Sequence, residues 1–375
     1  MQAAIGLAFR GLYTTRPNPR VGCVITREGR QLASGWHAWA GQGHAEVKAL
    51  EAAHGDVRGA TAYVTLEPCS HHGRTPPCAD ALIEAGIARV VVANTDPNPL
   101  VAGQGLARLQ AAGIEVRRDL LAEQAAELNP GFFKRMRSGL PLVRVKLAAS
   151  LDGRTALRNG QSQWITGKAA RRDVQHWRAR SCAILTGIDT VLDDDPRLTV
   201  RVDELEPCDG PRGDVDDLQQ PLRVVLDSQL RIDINRQLLT APGRTLLLTG
   251  RPPEDPRRQS LQDALHRLDM DGVRVEIEQC ALDAGGRLDL RAVLTLLGRR
   301  QINEVHVEAG ARLSGAWLAA GLVDELLLYQ APCLLGDDAR PLMHLPALQD
   351  MQHRHRLRLV SVVRVGEDLR LLARP

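Results

Sequence analysis

A histidine stands two residues ahead of a glutamate, His44 and Glu46 in the run HAE, and two cysteines follow, Cys69 and Cys78 in PCSHHGRTPPC. Imidazole nitrogen and thiolate sulfur are donors that zinc favours, and a catalytic zinc site uses three protein ligands and keeps a fourth position for water. Zinc lowers the pKa of bound water from about 15.7 to about 7. Glu46 then sits where it takes a proton from that water and delivers it to a departing amine. The order HxE, PC, C therefore predicts a zinc-dependent hydrolytic deaminase, with His44, Cys69 and Cys78 as ligands and Glu46 as proton carrier. His71 and His72 are competing ligand candidates, but their place inside the intervening loop fits substrate contact or exposure better. The non-enzymatic alternative makes zinc a structural staple. It needs a fourth protein ligand, such as His71 or His72, and leaves Glu46 without a role.

The elements around these residues must hold them together. TAYVTLE (61–67) is β-branched and aromatic, as strands are, and leads through Pro68 to Cys69. Cys78 opens a helix, CADALIEAG, that ends at Gly86, and HAEVKALEAA (44–53) has helical spacing. Helix N-termini favour the thiolate that zinc requires. VGCVI (21–25) and ARVVVAN (88–94) read as strands, and QGLARLQAAGIEVR as helix, glycine, strand. The stretch 120–139 reads as a helix broken at Asn129-Pro130. Alternating strands and helices imply an α/β layer structure. A second series begins near Pro141: PLVRVKLAAS, CAILTG, RVVLDS, RTLLLTG, VRVEIE, INEVHVEAG and DELLLYQAP are strands, and ARRDVQHWRAR (170–180) is a helix. The segment 202–221, rich in Asp, Glu, Gly and Pro, reads as an exposed loop.

Composition narrows the function classes. A chain of 375 residues is long for one core, so two domains are expected. Its 44% hydrophobic and 25% charged residues are ordinary for a soluble protein, and the N-terminus lacks the pattern of a secretory signal, so a cytoplasmic location is expected. Seven scattered cysteines do not suggest a disulfide framework; those outside the metal pair read as small buried hydrophobes. A net charge of +3 and 3% aromatic residues offer neither a basic stripe nor a base-stacking channel, which favours a small-molecule substrate over nucleic acid. A nucleic-acid base deaminase with an appended domain is the runner-up. No apolar run is long enough to span a bilayer, so no membrane partner is expected. In the second half, a strand ending in VEAG before small residues and a helix lets backbone amides approach a phosphate. The spacing does not match G-x-G-x-x-G. Arg178 and Arg201 either bind a sugar phosphate bidentately or are a solvated helix face and a strand-end arginine. Asp152 in SLDG is equally open between a functional and a structural part.

HAE with PCSHHGRTPPCADALIEAG (68–86), preceded by TRPNPRVGCVI (15–25), resembles the deaminase half of the bifunctional riboflavin-biosynthesis deaminase/reductase family, in which a long inter-cysteine loop is typical. From Pro141, the runs KLAASLDGRTA (146–156), GQSQWITG (160–167), ARRDVQHWRAR, ILTGIDTVLDDDPRLTVR (184–201) and VEAGARLSGAWL (307–318) resemble its reductase half. The resemblance implies a cytidine-deaminase-like three-layer α/β domain over 1–140 and a dihydrofolate-reductase-like domain over 141–375. It implies removal of the 2-amino group of a diaminopyrimidinone carrying a ribosylamino 5-phosphate. Hydride transfer from NADPH to C1′ then opens the ribose to a ribityl chain. Asn18, which on its own reads as a turn residue with Pro19, would position the first substrate. NADPH contacts are implied at Ala148, Trp164, Thr190, Asp194, Ser228 and the segment from Gly310. Contacts with the second substrate are implied at Ser162, Arg178, Leu198, Arg201 and Glu308. A homo-oligomer, dimer or larger, fits the same family.

Overall fold

The computed structural model describes residues 1–70, 77–99, 101–205, 218–268 and 272–375. His71, His72, Cys208 and most of the acidic loop lie outside the described residues. Two compact units emerge, one built on Met1–Gly139 and the other on residues 140–205 and 220–375. Among the described residues no helix is long and apolar enough to cross a membrane.

The first unit begins with α1 (Gln2–Ala8), β1 (Gly22–Arg27), β2 (Arg30–Trp36), α2 (Ala45–Glu51) and β3 (Thr61–Val64). It continues with α3 (Cys78–Glu84), β4 (Arg89–Val92), α4 (Gln104–Ala111), β5 (Glu115–Arg117), α5 (Ala122–Ala126) and α6 (Pro130–Ser138). Its sheet runs β2-β1-β3-β4-β5, antiparallel at β1 and parallel from β3 to β5. Cys23, Ile25, Ala62, Val64, Val90 and Val92 bury one face of it under Leu82, Leu106 and Leu109 of the helices. The helix break at Asn129 is present, and its amide pins the start of α6 to the chain before β1: Oδ1 accepts from Arg20 N–H at 2.8 Å and Nδ2 donates to Arg20 C=O at 2.9 Å. The expected strand 61–67 stops at Val64, because the next three residues turn toward the metal ligands.

The second unit opens with β6 (Leu142–Ser150), β7 (Arg154–Ala156), α7 (Lys168–Arg180), β8 (Ala183–Gly187), α8 (Ile188–Asp194) and β9 (Leu222–Leu226). After α9 (Gln237–Thr240), β10 (Gly243–Thr249), α10 (Pro256–Leu268) and β11 (Val273–Gln279) come α11 (Leu290–Arg299), β12 (Glu304–Glu308) and α12 (Ala311–Ala319). The unit closes with β13 (Glu325–Ala331), the two-residue β14 (Arg340–Pro341) and the hairpin β15 (Arg358–Val365) and β16 (Asp368–Arg374). Nine strands form one sheet in the order β11-β10-β9-β8-β12-β6-β13-β16-β15. All neighbours are parallel from β11 to β13, and only the final hairpin is antiparallel. Val143, Val145, Val224, Leu246, Val305 and Val307 carry one buried face. Continuous Val/Leu runs in these strands reflect a sheet covered on both sides. Beyond the expected strands, the fold contains β2, β7, β14 and the C-terminal hairpin, whose mixed polar and apolar residues gave no clear period.

Candidate active site

In a partly parallel sheet the ligand end lies beyond the carboxyl ends of the strands. Cys69 follows β3 there, His44 caps the start of α2, and Cys78 is the first residue of α3. Their donor atoms all lie within 4.8 Å of one another. His44 Nδ1 is 3.5 Å from Cys69 Sγ and 3.3 Å from Cys78 Sγ, and the Cys78 N–H donates to Cys69 Sγ at 3.3 Å. The hydrogen bond from the Cys78 thiol, with help from His44, holds the Cys69 thiol below its usual range, whereas Cys78 is held up by that same bond and by burial. Two sulfurs and an imidazole nitrogen this close form a donor set for one divalent cation, whose binding displaces thiol protons. Glu46, in the first turn of α2, is almost wholly buried; burial pushes its carboxyl up to about 7.

Two glycines allow this convergence by having no side chain. A Cβ on Gly35 of β2 would lie 2.4 Å from the Ala49 nitrogen of α2, and one on Gly105 of α4 would lie 1.9 Å from the Pro68 carbonyl oxygen beside Cys69. The site opens into a cavity of about 490 Å³ lined by Asn18, His37, His44, Glu46, Asp96, Asn98 and Phe132, among others.

Four residues of this site escaped the sequence reading. Glu67, buried just before the metal loop, accepts hydrogen bonds from the N–H groups of Asp96, Gly103, Gly105 and Leu106 at 3.1, 2.9, 3.0 and 3.3 Å. It thereby ties the loop after β4, with Asp96 and Asn98, to the cavity wall. His37 packs edge-on against His44, with ring centroids 5.3 Å apart. Burial takes His37 down to about 4, so it is neutral. Its Nδ1 lies 3.2 Å from the Gly43 carbonyl, which makes Nδ1–H the donor and leaves Nε2 to accept from Asn18 Nδ2 at 3.1 Å. Asn18 is therefore held in one amide orientation. The signal for Asp96 and Asn98 was the turn-rich NTDPNP at a strand end; Glu67 and His37 had none.

In the second unit most of the expected residues lie at or just after the carboxyl ends of the parallel strands. Ala148 lies near the end of β6, Thr190 and Asp194 in α8, Ser228 just past β9, and Glu308 ends β12. Gly310 caps α12, and Ser162 and Trp164 lie between β7 and α7. Trp164 is 69% exposed and lies under the Arg171 guanidinium, 4.3 Å from its centroid. Burial raises the Asp194 carboxyl, and Asp193 adds to the shift. Arg178 and Glu308, expected to touch substrate separately, form one bidentate pair at 2.6 and 2.9 Å, and Arg178 also donates to the Thr199 carbonyl at 2.9 Å. Glu308 is held well below its usual range by Arg178, against the opposing effect of burial. The half-exposed Arg201 pairs with Glu204 at 2.8 Å, and Leu198 is buried in a left-handed conformation. Lys146, inside the quoted run KLAASLDGRTA but not singled out, stands directly across from Glu308 on the neighbouring strand. Burial lowers its ammonium, while Glu308 opposes that shift. Asp152 accepts from the Ser150 hydroxyl and from the N–H groups of Leu335 and Gly336, at 3.2 and 2.8 Å, so it serves as a structural tie. Among the described cysteines outside the metal set, Cys23, Cys182 and Cys280 are buried and Cys333 is partly exposed.

Comparisons with known proteins agree with both halves. Residues 1–94 match the cytidine and deoxycytidylate deaminase zinc-binding region, and residues 141–371 match the RibD C-terminal domain. The riboflavin biosynthesis protein RibD of Escherichia coli is 50% identical over 98% of this chain and 96% of its own length. That of Haemophilus influenzae is 47% identical over 100% and 96%. The solved structure of Acinetobacter baumannii RibD, 45% identical, superposes with a TM-score of 0.87 over 100% of this chain and 97% of that one. The Thermotoga maritima diaminohydroxyphosphoribosylaminopyrimidine deaminase/5-amino-6-(5-phosphoribosylamino)uracil reductase, 31% identical, superposes with a TM-score of 0.83 over the same shares. A zinc-binding deaminase half and a reductase half, in unbroken order over the whole chain, establish that it belongs to the bifunctional RibD family of riboflavin biosynthesis.

Proposed function

We propose that residues 1–140 deaminate, and residues 141–375 then reduce, one phosphorylated pyrimidine. The first step removes the 2-amino group of a diaminopyrimidinone bearing a ribosylamino 5-phosphate, and the second converts its ribosyl group to a ribityl chain. The observation that carries this reading is the convergence of His44, Cys69 and Cys78 beside buried Glu46 at the wall of a cavity. One imidazole and two sulfurs suit zinc. Zinc held there supplies the Lewis acidity that makes water a nucleophile near neutral pH. Glu46 takes the proton that water gives up as its oxygen adds to the ring carbon, and delivers it to the amino nitrogen, which leaves as ammonia. A carboxyl held near 7 is suited to both transfers. Asn18, oriented by His37, and Asp96 and Asn98 across the cavity hold the ring and its substituents.

In the reductase, Ala148, Trp164, Thr190, Asp194, Ser228 and the segment from Gly310 bind NADPH, which supplies the hydride. Ser162, Arg178, Leu198, Arg201 and Glu308 hold the substrate, with Arg178 kept in place by Glu308. Lys146 gives the proton that the ribose ring oxygen takes as its bond to C1′ opens. We read the chain as a cytoplasmic homo-oligomer without nucleic-acid or membrane partners.

The test is turnover of the diaminopyrimidinone ribosylamino phosphate by zinc-loaded protein with NADPH, following ammonia and nicotinamide absorbance together. Ammonia release followed by NADPH oxidation is expected. Oxidation without prior ammonia release would overturn the proposed order, and the absence of both signals would overturn the substrate.

A further inference from the structure

Trp164 is a large indole left mostly in water. A ring that buries so little gains little from leaving water, so its orientation rests on specific contacts. Arg171 of α7 makes two of them. Its guanidinium lies over the indole, and its Nη1 donates to the Thr166 carbonyl, two residues past Trp164, at 2.6 Å. One planar fork thus grips both a ring and the backbone beside it, which the point charge of a lysine cannot do.

Arg171 is itself anchored to the sheet on both sides along α7. Before it, Gly167 caps the helix and donates its N–H at 2.7 Å to Oδ2 of Asp368, a buried residue at the start of β16. After it, Asp173 accepts from the Tyr329 hydroxyl of β13 and from Arg370 Nη1 of β16, the latter at 2.9 Å. The residue after Asp368, Leu369, pairs with Gln330, and Tyr329 pairs with Ala148 of β6. The start of α7 is therefore tied to the carboxyl end of the parallel strands, where Ala148 lies. Further along the same helix, Arg178 reaches Glu308, so one rigid element aims both arginines.

We infer that Arg171 is a positioning residue of the reductase: it fixes the Trp164 ring and its segment before the cofactor arrives. The inference rests on the reading of Trp164 as a cofactor contact. An exposed indole with a cation over it is held in one orientation and still offers open surface to a bound ring. Ordering that side chain in advance removes a cost that binding otherwise carries. Arg171 acts through Trp164, so its worth to cofactor binding depends on the indole being there.

Calorimetric titration of the full chain with NADPH tests this as a double-mutant cycle. Arg171→Gln should raise the NADPH dissociation constant about 10-fold in the parent. In a Trp164→Leu background the same change should cost no more than about 2-fold, because the group it positions is gone. An equal loss in both backgrounds makes Arg171 a direct ligand of the cofactor's phosphates and overturns the positioning role, as does no loss in the parent. If Trp164→Leu alone binds NADPH as tightly as the parent, the reading of Trp164 as a contact fails and takes the inference with it. Should Arg171→Gln misfold, Arg171→Lys is read in the same two backgrounds. It keeps a cation beside the indole and loses the planar fork, and the same outcomes decide.

Discussion

At the scale of single residues, the deaminase centre divides labour between ligation and proton transfer, and two substitutions separate them. Glu46→Gln keeps the volume of the side chain but not its proton traffic. Deaminase kcat should fall at least about 100-fold while zinc content, measured by atomic emission, stays at the parent level. Cys78→Ser should instead lose the metal and the activity together, because a hydroxyl does not become the anionic soft donor that the site uses. Zinc retained in Cys78→Ser would argue for another ligand set. In the second unit the proposed proton donor is Lys146, whose backbone position pairs with Glu308 on the neighbouring strand.

At the scale of elements, the site depends on how loops are tied to strand ends. Glu67 collects four backbone N–H groups from the loop after β4 and the start of α4. Glu67→Gln preserves one acceptor oxygen and replaces the other with a donor that faces N–H groups. A loss of about 2 kcal/mol in urea unfolding is expected for weakened charge-assisted bonds, with a raised deaminase KM because Asp96 and Asn98 loosen. An unchanged KM would separate the loop from substrate binding. In the second sheet, His306 is fully buried on β12 between Glu304 and Glu308, facing Arg144 of β6, with Nε2 3.4 Å from Glu308. Burial lowers its pKa below 6.5, with Glu308 opposing the shift and Arg144 and Arg178 adding to it. The unfolded imidazole takes a proton below 6.5 that the folded one refuses, so this contribution is complete above that pH and declines as pH falls toward the folded value. Relative to His306→Gln, the parent should lose up to about 1.4 kcal/mol per pH unit in that window. Parallel pH profiles of unfolding free energy would refute it.

At the scale of the whole molecule, two units with separate cores place two chemistries on one chain. The residues named for each site lie within one unit. Lys146→Met should therefore cut NADPH oxidation at least about 100-fold and leave ammonia release within about 2-fold, since Lys146 belongs to the second unit and the deaminase residues to the first. Glu46→Gln should do the converse when the deaminated intermediate is supplied directly. A loss of both activities in either variant would show that the units do not act independently.

How much of this was legible beforehand follows from the range of the interactions. The convergence of His44, Cys69 and Cys78 beside Glu46 and the break at Asn129 were readable because local spacing fixes them: a helix start, a strand end and a proline set side-chain direction over a few residues. The alternation of strand and helix was readable for the same reason, and the resemblance supplied the order of the two halves. Glu67, His37 and Lys146 were not, because their roles depend on partners that only the folded sheet brings near: loop amides some 30 to 40 positions on, a neighbouring histidine edge, and a glutamate more than 150 residues away. The pairing of Arg178 with Glu308 was equally hidden, since two separate polar residues in a sequence carry no sign that they satisfy each other. Sequence by itself determined which chemistry the chain holds; tertiary structure decided which groups keep it in register, because burial and long-range pairing exist only after folding.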